Sequence, residues 1–520
     1  LYVGTDDGLV QVSEDGGGSW QRHEAFPAVP ARAYVADVVA SRHVADRVYA
    51  VFNNHKEGDF APYVVRSDDR GASWTNITGD VPDGQSTWTL MEDHVDPDLL
   101  FLGTEFGLFV TRDGGGTWVR LRGGLPTIAV RDLEIQRRED DLVLATFGRG
   151  FYILDDYSPL REVDGAVAGA GGVAGAAGAA GQAHLFPVKD PWAYIPARPL
   201  GGQQKGTFGD SFFTAPNPPF GAVFTYYLPG SHESLKERRQ RLEREALARG
   251  EDIAYPDQAT LTAEDMERAP EVFVVVSDAG GDVVRRVPAP RRAGLHRIAW
   301  DLRYASLQPP SPDGGEADGP MVAPGEFSAR VVLATGDGHE DLTAPRSFTV
   351  RPLGTATLAA ADRNALLAFQ REVAQLQRAA VAVDRAARET SDRLVLLRRA
   401  VRAAPGIDAA PYETRITAFE ARLFDIRRVL SRDRTALDRA EFAPPSVMQR
   451  VSRIVGAQFR ATSAPTTTQQ SSYAVASAQL AEMSEALRAL VEDDLAAMEA
   501  ELEAEGVPWT PGRPIPRWPR

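Results

Sequence analysis

The chain has 520 residues, is 43% hydrophobic and 25% charged, carries a net charge of −15 and contains no cysteine. These facts exclude a disulfide framework, a thiol nucleophile and a cysteine-ligated zinc, and they argue against nucleic acid and anionic membranes as partners. No apolar run approaches the ~18 residues of a membrane span, and the sequence holds no P-loop, no dinucleotide fingerprint and no paired histidine spacing for a metal, so no cofactor is expected.

Three octets punctuate the first part of the chain: Ser13–Trp20 (SEDGGGSW), Ser67–Trp74 (SDDRGASW) and Thr111–Trp118 (TRDGGGTW). Each reads Ser/Thr, any, Asp, any, Gly, any, Ser/Thr, Trp. Gly17, Gly71 and Gly115 suit a tight turn that needs positive φ. Asp15, Asp69 and Asp113 can accept backbone N–H groups across it, and the hydroxyls can do the same. Trp20, Trp74 and Trp118 are expected to bury their rings between neighbouring sheets.

Apolar strand patterns surround the octets. Leu1–Thr5 and Gly8–Val10 precede the first, Val48–Val51 and Tyr63–Val65 the second, and Leu100–Thr104 and Gly107–Phe109 the third. Leu142–Thr146 and Gly150–Ile153 repeat the pattern with no octet after them. The tryptophans are 54 and then 44 residues apart, near the ~40–50 residues of a four-stranded propeller blade.

This constellation resembles the Asp-box (BNR-type) β-propellers, which include sialidases, family 74 glycoside hydrolases and sortilin-type receptor ectodomains. The resemblance implies that residues 1–157 are C-terminal blades of a propeller and that the octet Asp and Trp residues are structural. A ring takes about four to eight blades, and the chain opens in mid-strand at Leu1. The expectation is therefore the C-terminal portion of a longer protein whose N-terminal blades are missing. The absence of cysteine departs from the sortilin receptors, whose propeller is followed by a cysteine-rich module.

Residues 158–183 contain DGAVAGAGGVAGAAGAAGQ, a Gly/Ala-rich linker with too little side chain to order itself. Residues 184–353 are strand-rich. Phe220–Pro229 and Glu271–Val276 read as strands, Asp278–Asp282 as a hairpin turn, and Val283–Val287, Gly294–Asp301, Val322–Leu333 and Ser347–Val350 as further strands. This order resembles the Ig-like sandwich of flagellar hook-capping proteins and of accessory domains in bacterial secreted enzymes. Ser234–Gly250 reads as a helical insertion. Asp313–Asp318 is an acidic loop whose spacing misses the EF-hand pattern.

Apolar residues then recur at helical spacing. Leu366, Phe369, Val373 and Leu376 begin one face, Ile416, Phe419 and Leu423 another, Val447 and Val451 a third, and Leu480 to Leu502 a last one. Residues 354–505 are accordingly an antiparallel helical bundle. Residues 506–520 are a Pro-rich tail expected to dock through Trp509. The fold class is mainly β: a partial Asp-box β-propeller, an Ig-like β-sandwich, then an α-helical bundle.

In such a propeller the first strand of each blade lines the channel. The repeat puts Arg32, Tyr34 and Asp37 on one first strand, Trp88 and Glu92 on the next, and Arg131 and Asp132 on a third. Asp6, Asp7, Glu105, Phe106, Phe147 and Arg149 fall in loops at the same end. Candidate ligand-binding residues are Trp88, Phe106, Arg131 and Arg149, since aromatic faces stack on sugars and arginine forks onto carboxylates or hydroxyls. Candidate catalytic carboxylates are Asp132, Asp37 and Glu105, of which no motif selects a pair. Sialidase chemistry lacks its arginine motif here. The whole order, with FGRGFYILDD ending the blades and PWTPGR ending the helices, resembles large bacterial glycosyl-hydrolase-like or sortilin-like proteins. That resemblance implies a secreted protein, extracellular or periplasmic, that binds glycan or peptide or is a glycoside hydrolase.

Overall fold

The computed structural model describes residues 1–162, 182–196, 215–310 and 318–516. Nearly all of the Gly/Ala-rich linker and of the acidic Asp313–Asp318 loop lie outside those residues.

Four antiparallel meanders come first. The first sheet is β1 (Tyr2–Gly4), β2 (Val10–Val12) and β3 (Gln21–His23). The second is β4 (Tyr34–Ala40), β5 (Val48–Asn54), β6 (Asp59–Ser67) and β7 (Thr75–Asn76). The third is β8 (Thr87–Glu92), β9 (Leu100–Thr104), β10 (Gly107–Thr111) and β11 (Val119–Leu121). The fourth is β12 (Val130–Gln136), β13 (Asp141–Thr146) and β14 (Phe151–Leu154). Sheets stack face to face, which explains why the middle strands are apolar on both sides. Along β5, Tyr49 and Val51 join the core shared with the third sheet, while Ala50 and Phe52 join the core shared with the first. Along β9, Leu100 and Leu102 face the second sheet, and Phe101 faces the fourth. This is the period of two of a strand buried on both faces.

The three octets close their turns with one set of bonds. Asp15, Asp69 and Asp113 accept from the backbone N–H of Ser19, Ser73 and Thr117 at 2.8, 2.7 and 2.9 Å. The same carboxylates accept the hydroxyls of those residues at 2.7, 2.6 and 2.8 Å. Gly17, Gly71 and Gly115 donate their N–H to the leading Ser or Thr hydroxyl at 2.7, 2.7 and 3.1 Å. The Ser19 and Ser73 donors hold the carboxyls of Asp15 and Asp69 below the usual range. At Asp113 burial opposes that shift, and the Thr117 and Thr111 bonds outweigh it.

The rings differ. Trp118 is 5% exposed and packs onto the second sheet, and Trp74 meets Phe26 of the first edge-on at 5.3 Å. Trp20 is 43% exposed, contrary to the burial expected of it. Trp74 and Trp118 each pack back onto the preceding sheet.

Two facing sheets follow. One is β15 (His184–Leu185), β17 (Ala222–Leu228) and β20 (Gly294–Trp300). The other orders β16 (Trp192–Ala193), β23 (Arg346–Pro352), β21 (Gly325–Thr335), β18 (Glu271–Asp278) and β19 (Val283–Ala289), with β22 (Gly338–Asp341) on β21. They share a core in which Phe224 and Trp300 meet Val274, Val331 and Phe348. Two capped helices, α1 (Leu235–Ala248) and α2 (Gln258–Met266), lie between β17 and β18. The sequence marked only α1. Lys189 pairs with Glu139 of the fourth meander at 2.5 Å, and His184 Nε2 lies 2.9 Å from Glu162 Oε2 of the turn after it.

The C-terminal region is helical: α3 (Arg363–Ala403), α4 (Ala409–Leu430), α5 (Arg434–Asp438), α6 (Val447–Gln458), α7 (Thr467–Arg488) and α8 (Ala496–Ala504), around one apolar core. The tail docks through Val507, Thr510 and Arg513, whose guanidinium donates to the Val507 and Pro508 carbonyls at 3.2 and 3.0 Å. Trp509, the expected anchor, is half-exposed. No helix among the described residues is long and apolar enough to cross a membrane.

Candidate functional site

The first strands β4, β8 and β12 share a device that no sequence motif signals. Each pairs with its neighbour through a register shift, between Val35 and Asp37, Thr87 and Thr89, and Val130 and Asp132. The extra residues are Ala36, Trp88 and Arg131. A bulge leaves one residue out of the ladder and re-aims its side chain. Two of the three bulges, at Trp88 and Arg131, therefore present a large aromatic or charged side chain at one end of the stacked sheets.

Those two side chains meet. The Arg131 guanidinium carbon lies 3.4 Å from the centroid of the Trp88 ring and 5.2 Å from that of Phe147. Trp88 Nε1 donates to Glu105 Oε2 at 3.0 Å, and Arg131 pairs with the same oxygen at 3.5 Å. The His55 ring stands 5.3 Å from Trp88, and its Nδ1 lies 2.6 Å from Asn53 Oδ1. Arg131 Nε is buried without a hydrogen-bond partner, a polar atom that ordinarily finds one. Phe147 is 70% exposed beside this group.

The carboxylates sit one residue further on. Asp37 Oδ2 accepts from Thr89 Oγ1 at 2.9 Å and from the Leu90 N–H at 3.1 Å, bridging two first strands. Burial pushes its carboxyl above the usual range against those two bonds, and the negative charge of Asp132 adds to the shift. Asp132 is exposed and accepts from the Leu133 N–H at 2.9 Å.

Other candidates lie apart. Glu92, at the far end of β8, is buried and accepts from Ser41 Oγ at 2.8 Å and the Arg42 N–H at 2.7 Å, so it pins a turn. Phe106 is half-exposed, and its carbonyl accepts from Arg120. Arg149 is exposed between Gly148 and Gly150, both at positive φ, with no ion pair among the described residues. Arg32 is exposed at φ 65°, and Lys56 lies 5.3 Å over the ring of Tyr34. Asp6 and Asp7 are exposed in the β1–β2 turn. His55, Asn53 and Thr89 were missed, because a lone residue on a first or second strand, or just after one, carries no motif. Among the described residues no cluster of His, Asp and Glu has the geometry of a metal site.

No family model matches the chain, and no curated protein does. Solved structures that resemble it include β-propeller-like proteins. YCF48 bound to D1 peptide is 15% identical over 30% of this chain and 47% of its own, with a TM-score of 0.24. The GH74 enzyme of Niastella koreensis is 16% identical over 29% of this chain and 26% of its own, with a TM-score of 0.24. The GH74 xyloglucanase of Xanthomonas campestris is 15% identical over 66% of this chain and 43% of its own, with a TM-score of 0.25. The chain thus spans less than half the length of each. Overlap this slight leaves the description of the fold to the sheets themselves.

Proposed function

We propose that the chain is part of an exported, bacterial β-propeller protein of the Asp-box type, glycosyl-hydrolase-like or sortilin-like, that binds a glycan or peptide at the Trp88–Arg131 end of its sheets. The observation that carries this reading is the pair of aligned bulges that stacks Arg131 on Trp88 over Glu105. An arginine held in that way is pre-ordered, so less freedom is lost when its remaining N–H groups meet a carboxylate or hydroxyls. Phe147 supplies an exposed apolar face beside it. The test is binding of the intact chain to glycan and peptide arrays, repeated with Arg131→Ala and Trp88→Ala. Loss of all array signal in both variants, with unchanged melting, is the expected result. Retained signal in both would remove the site.

A second reading, glycoside hydrolysis, is favoured by one observation: Asp37 is pushed up next to Asp132. Acid–base cleavage of a glycosidic bond uses two carboxyls, one of which is raised above its usual range. In that reading Asp37 is the acid and Asp132 the base. Turnover of a polysaccharide lost in both Asp37→Asn and Asp132→Asn, with binding kept, would select it over binding alone.

A further inference from the structure

The third and fourth sheets enclose a cavity of about 610 Å³ on the side away from the bulges. Leu108 and Leu121 of the third sheet, with Leu125 just after it, form one wall, Leu144 and Tyr152 of the fourth another, and Tyr157, Pro159 and Leu160 line the rest of its apolar side. Thr225, His296 and Arg297 of the neighbouring sandwich make a polar rim.

The repeat says what such a gap holds elsewhere. The octet tryptophans Trp74 and Trp118 are 44 residues apart, and the same offset carries Val64, Ile77 and Val81 onto Leu108, Leu121 and Leu125. On the second sheet, Val64, Ile77 and Val81 share a core with Trp118, whose Nε1 donates to the Ile77 carbonyl at 3.0 Å. The fourth sheet has no octet, and no tryptophan occurs between Trp118 and Trp192. Two glycines measure the consequence. A Cβ on Gly79 would stand 2.7 Å from the Gly116 carbonyl oxygen and 3.0 Å from Trp118 Cδ1. On its counterpart, Gly123, a Cβ would meet nothing within 4 Å.

We propose that this cavity is a binding site for an indole-class aromatic group, a planar ring with an N–H donor, free or carried on a peptide. The wall is the one that receives an indole in the preceding gap. The volume falls in the ~300–1,000 Å³ range of small-molecule sites, which favour apolar walls with a few polar groups at domain junctions. The rim gives a substituent a polar partner in Thr225, while His296 Nε2 already lies 2.6 Å from the Arg292 carbonyl oxygen. Arg297 is already engaged, since its Nη1 donates to the Asp155 carbonyl at 2.7 Å. This site is separate from the Trp88–Arg131 end and does not depend on it.

The test titrates the full chain with indole and, separately, with a blocked pentapeptide bearing a central tryptophan, by calorimetry and ligand-observed NMR. Saturable binding of either is expected: indole alone points to a free aromatic ligand, and the peptide alone to a polypeptide segment. Leu125→Trp fills the cavity from its wall, and Gly123→Trp reaches it from open space without a backbone clash. Each is expected to weaken binding on the order of tenfold or more. No saturable binding of either probe to the folded wild type would overturn the proposal. So would undiminished binding to a Gly123→Trp protein that melts like wild type.

Discussion

The gap between the second and third sheets and the gap between the third and fourth start from homologous walls and end differently. In the first, the octet at Thr111–Trp118 delivers a ring onto Ile77. Its Gly115 lies so close to that strand that a Cβ would stand 2.8 Å from the Ile77 carbonyl oxygen. Trp118 N–H then bonds Asp80 Oδ1 at 2.6 Å. In the second, the counterpart of Asp80 is Gly124, no octet follows β14, and a cavity remains. Stacking of sheets therefore needs only the alternating apolar strands, because both gaps have it. Filling of the outer half of a gap is a separate function, performed by the octet. In the second gap Tyr157 and Leu160, from the chain just after β14, pack with Phe101, Leu108 and Leu144 and fill part of the space, and a rim from the neighbouring sheets walls the rest.

The largest test of that division is Trp118→Ala. Removal of a 5%-exposed indole from a packed gap is expected to destabilise the chain by about 3–5 kcal/mol, read from denaturant midpoints. A loss under about 1 kcal/mol would mean that strands alone hold the gap and that the octet is decorative.

A second pair compares the gaps at one homologous position. Gly79 sits at φ 57° against the Gly116 carbonyl and Trp118, so Gly79→Ala is expected to cost about 1–3 kcal/mol. Gly123→Ala enters open space and is expected to stay within about 0.5 kcal/mol of wild type. Equal costs at the two sites would show that the gaps are packed alike, and the cavity would lose its basis.

The third comparison uses the octets themselves. Trp74 packs on Phe26, whereas Trp20 is 43% exposed. Trp20→Ala is therefore expected to change stability by under about 1 kcal/mol, with Trp74→Ala between it and Trp118→Ala. Thermal melts of the three alanine variants give the order directly. A Trp20 effect as large as that of Trp118 would place the ring in a packed environment that the chain itself does not supply.

The octets, their turns and the strands around them were legible because they are local: the hydrogen bonds that close each turn span at most four residues, and the two-residue alternation is written along each strand. The same holds for the helices after Arg363, whose apolar spacing and caps are local too. The burial of each tryptophan was not legible, since it depends on which sheet stands behind the turn. The bulges were not legible either. Val35–Asp37, Thr87–Thr89 and Val130–Asp132 share no residue type that demands an extra residue, and only the pairing with β5, β9 and β13 reveals the slip. Trp88, Glu105 and Arg131 could be assigned to one end of the sheets from the repeat. That they touch follows from side-chain directions that the bulges set. Arg149 and Phe106 share that end but stay outside the cluster.

The smallest expected effect concerns the inner edge of the same two gaps. Across the closed one, Asp37 of β4 accepts from Thr89 and Leu90 of β8. At the matching place in the open one stands Thr89, with no such carboxylate. Burial raises the Asp37 carboxyl above its ordinary value, with the Asp132 charge adding to it. A raised folded-state value means that the folded chain binds its proton more tightly than the unfolded chain does. The resulting stabilisation is complete below the ordinary carboxyl value of 3.8 and is lost as pH rises through the raised one. Asp37→Asn keeps an oxygen for the Leu90 N–H and carries no charge, so it should flatten this dependence. The expected melting temperature of Asp37→Asn at pH 7 equals or exceeds wild type by roughly one or two degrees, on a scale where 1 kcal/mol moves a domain of this size by about 2–4 °C. At pH 4 the two proteins should converge. A variant that melts well below wild type at pH 7 and converges only in acid would show that the ionised carboxylate stabilises the gap, and that burial does not govern the Asp37 carboxyl.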